Sequence, residues 1–124
     1  MTLTPDDLKI MAFDPPHLGM PGRPSHCGRA ENGCGFVEIF VAVEGDRIID
    51  VGFLTSIPGD GMVCASVCCQ TLLDKTLDDA LNLDTTSILG CFPEPMWGNH
   101  VLAELTDRCL SAARIALNAA ARIS

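Results

Sequence analysis

Polar and apolar residues alternate from Phe36 to Val43 and again from Arg47 to Thr55, so the centre of the chain reads as two strands joined at Glu44-Gly45-Asp46. With a strand's period of two, Val37, Ile39, Val41 and Val43 share one face of the first, and Ile49, Val51 and Phe53 share one face of the second. A proline–glycine loop, Ile57-Pro58-Gly59-Asp60-Gly61, follows, and the period then changes to that of a helix. From about Gly61 to Lys75, Met62, Cys64, Ala65, Cys68, Cys69, Leu72 and Leu73 fall on one arc, with Ser66, Gln70 and Asp74 opposite. Asp60 is the expected N-cap of this helix, because its carboxylate can accept from the first unpaired N–H groups.

The flanks complete the pattern. Asp6 to Phe13 makes a short opening helix with Leu8, Met11 and Ala12 on one side, ended by Asp14-Pro15-Pro16 because proline disfavours helical geometry at the residue before it. Residues 17–25, rich in proline and glycine, read as a loop. His26 to Ala30 is a short first strand, turning through Glu31-Asn32-Gly33 into the strand that Cys34 opens; on this reading Cys27 faces Cys34 across the hairpin. Thr76 caps a short helix ending at Leu81, with Asp79 completing the start of a capping box. Residues 84–98, holding Cys91 and Trp97, read as a loop. Asn99 caps the longest helix, which runs to about Ile123. Its apolar stripe is Leu102, Leu105, Cys109, Ala112, Ala113, Ala116 and Ala120; Glu104, Asp107, Arg108, Ser111, Arg114 and Asn118 form the wet face. The expected class is α+β, a small three-stranded antiparallel sheet with helices packed on one face, and residues 1–124 are read as a single domain.

Composition narrows the function. The chain has 124 residues and a formal charge of −8, with eight lysines and arginines against sixteen acids. No cluster of cations is present to meet a phosphate backbone, so nucleic acid is not an expected partner. No apolar run approaches the length of a membrane span, and the acidic start, Met1-Thr-Leu-Thr-Pro-Asp-Asp7, lacks the basic and apolar regions of a signal peptide. Seven cysteines in such a chain point to the reducing cytoplasm, with thiols or metal ligands instead of a disulfide framework. No Ser-His-Asp or Cys-His pairing is recognisable, and Gly59-Asp-Gly61 lacks the lysine and hydroxyl residue of a phosphate loop. Turnover of a small substrate is therefore not expected.

The order of segments resembles the U-type iron–sulfur cluster scaffold family, that of IscU and the N-terminal domain of NifU. Asp14-Pro-Pro-His-Leu-Gly19 is similar to the family's Asn-Pro-Arg-Asn-Val-Gly, and Cys34-Gly35 to its Cys-Gly. Glu44-Gly-Asp-Arg-Ile-Ile-Asp50 and Phe53-Leu-Thr55 follow its hairpin. Lys75-Thr-Leu-Asp-Asp-Ala80 is close to Lys-Ser-Leu-Asp-Glu-Ala, and Val101-Leu-Ala-Glu104 to the Ile-Leu-Ala-Glu of its last helix. The resemblance implies a site of three cysteines and an aspartate, whose soft thiolates suit an iron–sulfur cluster. Cys34 matches the first cysteine. Gly35 or Phe36 stands at the aspartate, Pro58 at the second cysteine and Asn99 at the third. The family's Leu-Pro-Pro-Val-Lys segment, which chaperones grip, is replaced by Pro93-Glu-Pro-Met-Trp97.

Cys34 is therefore the expected anchor for iron, zinc or a cluster, or a thiol that accepts sulfur. Cys27 and Cys91 are the candidate replacement thiolates; Asp60 and His100 are candidate metal ligands. Each has a plainer reading: hairpin and loop cysteines, a helix N-cap, and a solvated histidine in a first turn. Cys64, Cys68, Cys69 and Cys109 lie on apolar arcs and are assigned to the core. The expected partners are proteins of sulfur or iron–sulfur metabolism, with a homodimer left open. The alternative is a fold that has lost its metal and serves as a protein-interaction module.

Overall fold

A computed structural model describes residues 3–123. Helix α1 (Pro5–Phe13) is followed by strands β1 (His26–Asn32), β2 (Gly35–Glu44) and β3 (Arg47–Thr55). Then come helices α2 (Asp60–Leu72), α3 (Leu77–Leu81) and α4 (Thr85–Leu89), a 3-10 turn at Glu94–Met96, and α5 (His100–Ile123). The three strands form one antiparallel sheet in the order β1-β2-β3, with α2 and α5 packed on it, as the α+β reading expects.

Register fixes which side chains meet the helices. Gly28, Ile39 and Phe53 are opposite one another across the three strands, and Val41 pairs with both His26 and Val51. Val37, Ile39, Val41, Val51 and Phe53 are buried beneath the helices. Burying a side chain of the size of Phe53 contributes on the order of 2 kcal/mol. Gly28 is what lets α5 come close. A Cβ there would overlap the carbonyl of Ala112 and stand 2.7 Å from the nitrogen of Ala116, so backbone packs on backbone.

Several local expectations are corrected. The register slips between Ala42 and Val43, so Val43 pairs with Ile48; Ile48 is fully buried and Ile49 only partly. A bulge of this kind reverses the faces of the residues before it. The first strand continues to Asn32, and Cys34 lies in the turn with Gly33 instead of opening β2. Helix α2 is capped by Gly59, which makes no side-chain cap, and Asp60 is its first residue; the helix stops at Leu72, with Leu73 as C-cap. Ser66 is buried, not on a wet face, because its hydroxyl donates to the carbonyl of Pro16 at 3.2 Å in the loop that crosses α2. The segment read as loop before α5 contains α4, whose N-cap Asp84 forms a capping box with Ser87.

The start of α5 is as expected, while α1 begins one residue earlier than Asp6 and the cap of α3 is one-sided, without the Asp79 half of a capping box. Thr4 and Asp7 cap α1 reciprocally, Thr76 caps α3 by accepting from the N–H of Asp79, and Asn99 accepts from the N–H of Leu102 at 3.1 Å at the start of α5. The expected stripe of α5 from Leu102 to Ala120 is buried, as are Cys64, Cys68, Cys69 and Cys109. Burial pushes the thiols of Cys64 and Cys68 up to about 12, and those of Cys69 and Cys109 well above the ordinary value. Among the described residues no helix is long and apolar enough to cross a membrane.

Candidate functional site

Cys34 is exposed at the tip of the β1–β2 hairpin, and the tip is held from two sides. On one side lies the segment between β3 and α2. The N–H of Phe36 donates to the Ser56 hydroxyl at 2.9 Å, and the Phe36 carbonyl accepts from the Ser56 N–H at 3.2 Å and the Thr55 hydroxyl at 2.7 Å. Gly35 has φ of +145°, and a Cβ there would overlap the Ser56 hydroxyl. The Cys-Gly pair therefore has a steric cause: only glycine lets the turn close against Ser56. On the other side is α5, where Arg108 donates to the Glu31 carbonyl at 2.9 Å and pairs with Glu104 at 3.4 Å.

Pro58 and Gly59 complete the corner that Ser56 begins. Gly59, with φ of +62°, turns the chain into α2, and the side chain of Ile57 fills the space that a Cβ on Gly61 would need at 2.6 Å. Asp60 is exposed in the first turn of α2, where its charge suits the positive end of the helix dipole. It also borders a cavity of about 200 Å³ shared with Lys9, Gly59, Phe92 and Met96. His100 is exposed at the first residue of α5.

The two other candidate thiols lie elsewhere. Cys27 pairs with Phe40, not with Cys34. Five strand residues separate it from the end of β1, so it stands roughly 17 Å from the tip at about 3.3 Å per residue. Its thiol donates to Glu38 at 3.5 Å, and Glu38 in turn accepts from Arg29 at 2.9 Å. Burial, then the Glu38 hydrogen bond, push the Cys27 thiol up, so it resists becoming a thiolate. Cys91 donates to the Ser87 carbonyl at 3.7 Å and borders a cavity of about 280 Å³ with Thr71 and Lys75, at the far end of α2 from Asp60. That end is roughly 18 Å from the Asp60 end, at about 1.5 Å per helical residue. The sequence places Cys91 near the corner; in the structure it borders the Thr71 and Lys75 end of α2, while the next residue, Phe92, lines the cavity beside Asp60.

The donor set was tested against a metal or cluster. No three of the histidine, cysteine, aspartate and glutamate side chains are grouped to hold a metal ion among the described residues. Cys34, Asp60 and His100 thus do not form a ready-made pocket, and a site closed by four protein ligands does not fit this chain. What sequence reasoning missed is the clamp on the tip, made by Thr55, Ser56 and Arg108. The hydroxyl pair just before Pro58 was a usable signal; Arg108, read as a wet-face residue, gave none.

No family model matches the chain, and no curated protein matches it significantly in sequence. Solved structures do match in fold. A nitrogen-fixing NifU-like protein (N-terminal) from Brucella abortus superposes with a TM-score of 0.69 at 12% identity, over 94% of this chain and 93% of that one. A hypothetical protein gives 0.69 at 16% identity, over 90% and 93%. A candidate iron–sulfur cluster assembly scaffold protein for the SUF system, from the thermophile Fervidobacterium islandicum AW-1, gives 0.68 at 16% identity, over 89% and 93%. The chain therefore has the U-type scaffold fold that its sequence resembles. At these identities the likeness is one of fold.

Proposed function

We propose that this chain is a scaffold-like protein of iron–sulfur or sulfur metabolism that works through one corner thiol, Cys34. The observation that carries the reading is the exposed Cys34 at a hairpin tip held by Ser56 and Arg108 in a U-type fold. Three of the four ligands implied by the resemblance are absent. Iron, zinc or a cluster would then be cargo shared with donors brought by another molecule, and Asp60 and His100 are the candidate ligands within the chain. Its partners would be proteins of sulfur or iron–sulfur metabolism. Cys34 could also take sulfur directly: its thiolate attacks the outer sulfur of a donor persulfide, the S–S bond breaks, and the donor leaves as a thiol while Cys34 becomes the persulfide. Neither role turns over a small substrate.

The test is the metal and acid-labile sulfide content of protein purified without oxygen, for the wild type and Cys34→Ser. Metal or sulfide that follows Cys34 supports the reading; equal loading in the variant rejects it. A second reading has its own support: no three donors are grouped among the described residues, and Pro58 cannot ligate through its side chain. It is a scaffold fold turned to protein binding, and it is favoured if neither metal nor sulfide is found.

A further inference from the structure

Among the described residues, four of the eight large apolar side chains left exposed, Ile10, Phe13, Leu18 and Met20, fall within eleven residues of one another, on α1 and the loop after it. Scattered apolar residues need no explanation, but a run of this kind marks a contact surface. Ile10 and Phe13 are one helical turn apart, 61% and 90% exposed. Beside them opens a cleft of about 390 Å³ between α1 and α2, lined by Leu3, Asp7, Ile10, Met11, Pro16 and Gln70. That volume is in the range of sites that receive a ligand group. Its walls are fixed: His17 Nε2 lies 2.9 Å from Gln70 Oε1, and the Pro16 carbonyl accepts from Ser66.

The charge around the cleft selects the occupant. Among the described residues Asp7 is the one charged residue lining it, held in place because its carboxylate accepts from the Thr4 N–H at 2.8 Å. Asp6 lies in the first turn of the same helix and Asp14 is its C-cap, while Lys9 borders the other cavity, beside Asp60. A second copy of the chain would bring the same acids and a further charge of −8, so self-association there is opposed. We propose that the α1–α2 cleft is a docking site for a basic amphipathic segment of another protein, with one apolar side chain in the cleft and a lysine or arginine against Asp7. This inference is independent of any role for Cys34.

The probe is a short fluorescent peptide built only of leucine and lysine at helical spacing, with a leucine–glutamate peptide as its counterpart. Binding is read by anisotropy at physiological ionic strength, where general attraction to an acidic chain is damped. The expected result is saturable binding of the leucine–lysine peptide alone, weakened about tenfold or more by Ile10→Ser or Phe13→Ser. Both side chains are exposed, so their loss leaves the core intact. Leu54→Ser, an exposed apolar position on β3, should bind as the wild type does. Three results overturn the proposal: no binding, equal binding of the two peptides, or equal losses at Phe13 and Leu54.

Discussion

Arg108 donates to the carbonyl of Glu31 at 2.9 Å, and this bond fastens α5 to the end of β1 two residues before the hairpin turn that holds Cys34. A hydrogen bond from a charged donor is worth about 1.5–3 kcal/mol net. The bond joins residues far apart in sequence, so it stabilises the packing of helix on strand as well as the tip. Arg108→Ala should therefore lower stability by about 1–2 kcal/mol, seen as a lower denaturant midpoint, and should speed amide exchange at residues 33–36. Unchanged exchange at the tip would show that Ser56 alone holds it.

A second relationship is steric. Gly28 has no room for a Cβ against the backbone of Ala112 and Ala116, and neither partner atom belongs to a flexible side chain. Gly28→Ala must push α5 away from β1 and is expected to cost about 1–3 kcal/mol, as overpacking does. Thermal denaturation measures it directly. A substitution that leaves the midpoint unmoved would mean that α5 can slide on the sheet without loss.

The legibility of the chain follows from how far apart the controlling residues are. The two central strands and the stripe of α5 were readable because their signal is a local period, repeated over many residues. The face of Ile48 was not, since one bulge between Ala42 and Val43 changes the phase and nothing in the alternation marks it. Helix α4 was hidden in a segment with Gly90 and Pro93, although Asp84 and Ser87 had the spacing of reciprocal caps. Cys34 was legible as a thiol beside the first hairpin turn, where it is exposed. Its would-be partners were not, because proximity in sequence to a loop or helix start does not give position in space: Cys91 precedes α5 in sequence yet lies by Lys75 at the far end of α2.

Thiol chemistry should separate the seven cysteines into classes. Cys27 and Cys34 are exposed, Cys91 is half-buried, and Cys64, Cys68, Cys69 and Cys109 are buried. With a disulfide reagent at mild alkaline pH the native protein should show two accessible thiols, a slower third, and four more only in denaturant. Cys27 is raised above an ordinary thiol, so its rate should keep climbing at pH values where an unperturbed thiol has levelled off; Glu38→Gln should bring that climb to lower pH. A climb that Glu38→Gln leaves unmoved would contradict a role for the Glu38 hydrogen bond beside that of burial.

The buried thiols also make stability depend on alkaline pH, and the sign can be worked through. Cys64 and Cys68 are raised from 9.0 to about 12 in the folded chain, so above pH 9 the unfolded chain gives up protons that the folded chain keeps. The unfolded state is then favoured as pH rises, and the stability present below pH 9 is lost progressively toward about 12. Denaturation midpoints should be flat with respect to these groups near neutrality and fall above pH 9. Cys68→Ala should flatten that fall even as it lowers stability at neutral pH. A variant whose alkaline limb matches the wild type would remove Cys68 as a cause.

The placement of Cys27 and Cys91 gives the sharpest test of the corner. If metal or sulfur is handled at Cys34, Cys27 is not expected to share it, since it stands five strand residues away from the hairpin end, nor is Cys91, which borders the Lys75 end of α2. Loading of anaerobically purified protein should therefore fall in Cys34→Ser and stay at the wild-type level in Cys27→Ser and Cys91→Ser. Loss in Asp60→Asn or His100→Ala would add that residue to the corner. The contrary pattern, with Cys27→Ser or Cys91→Ser as damaging as Cys34→Ser, would require the hairpin or the α4 segment to rearrange on binding. The clamp of Ser56 and Arg108 on the tip opposes such movement, so a rearranged site should carry a stability cost visible when Ser56→Ala and Arg108→Ala raise its loading.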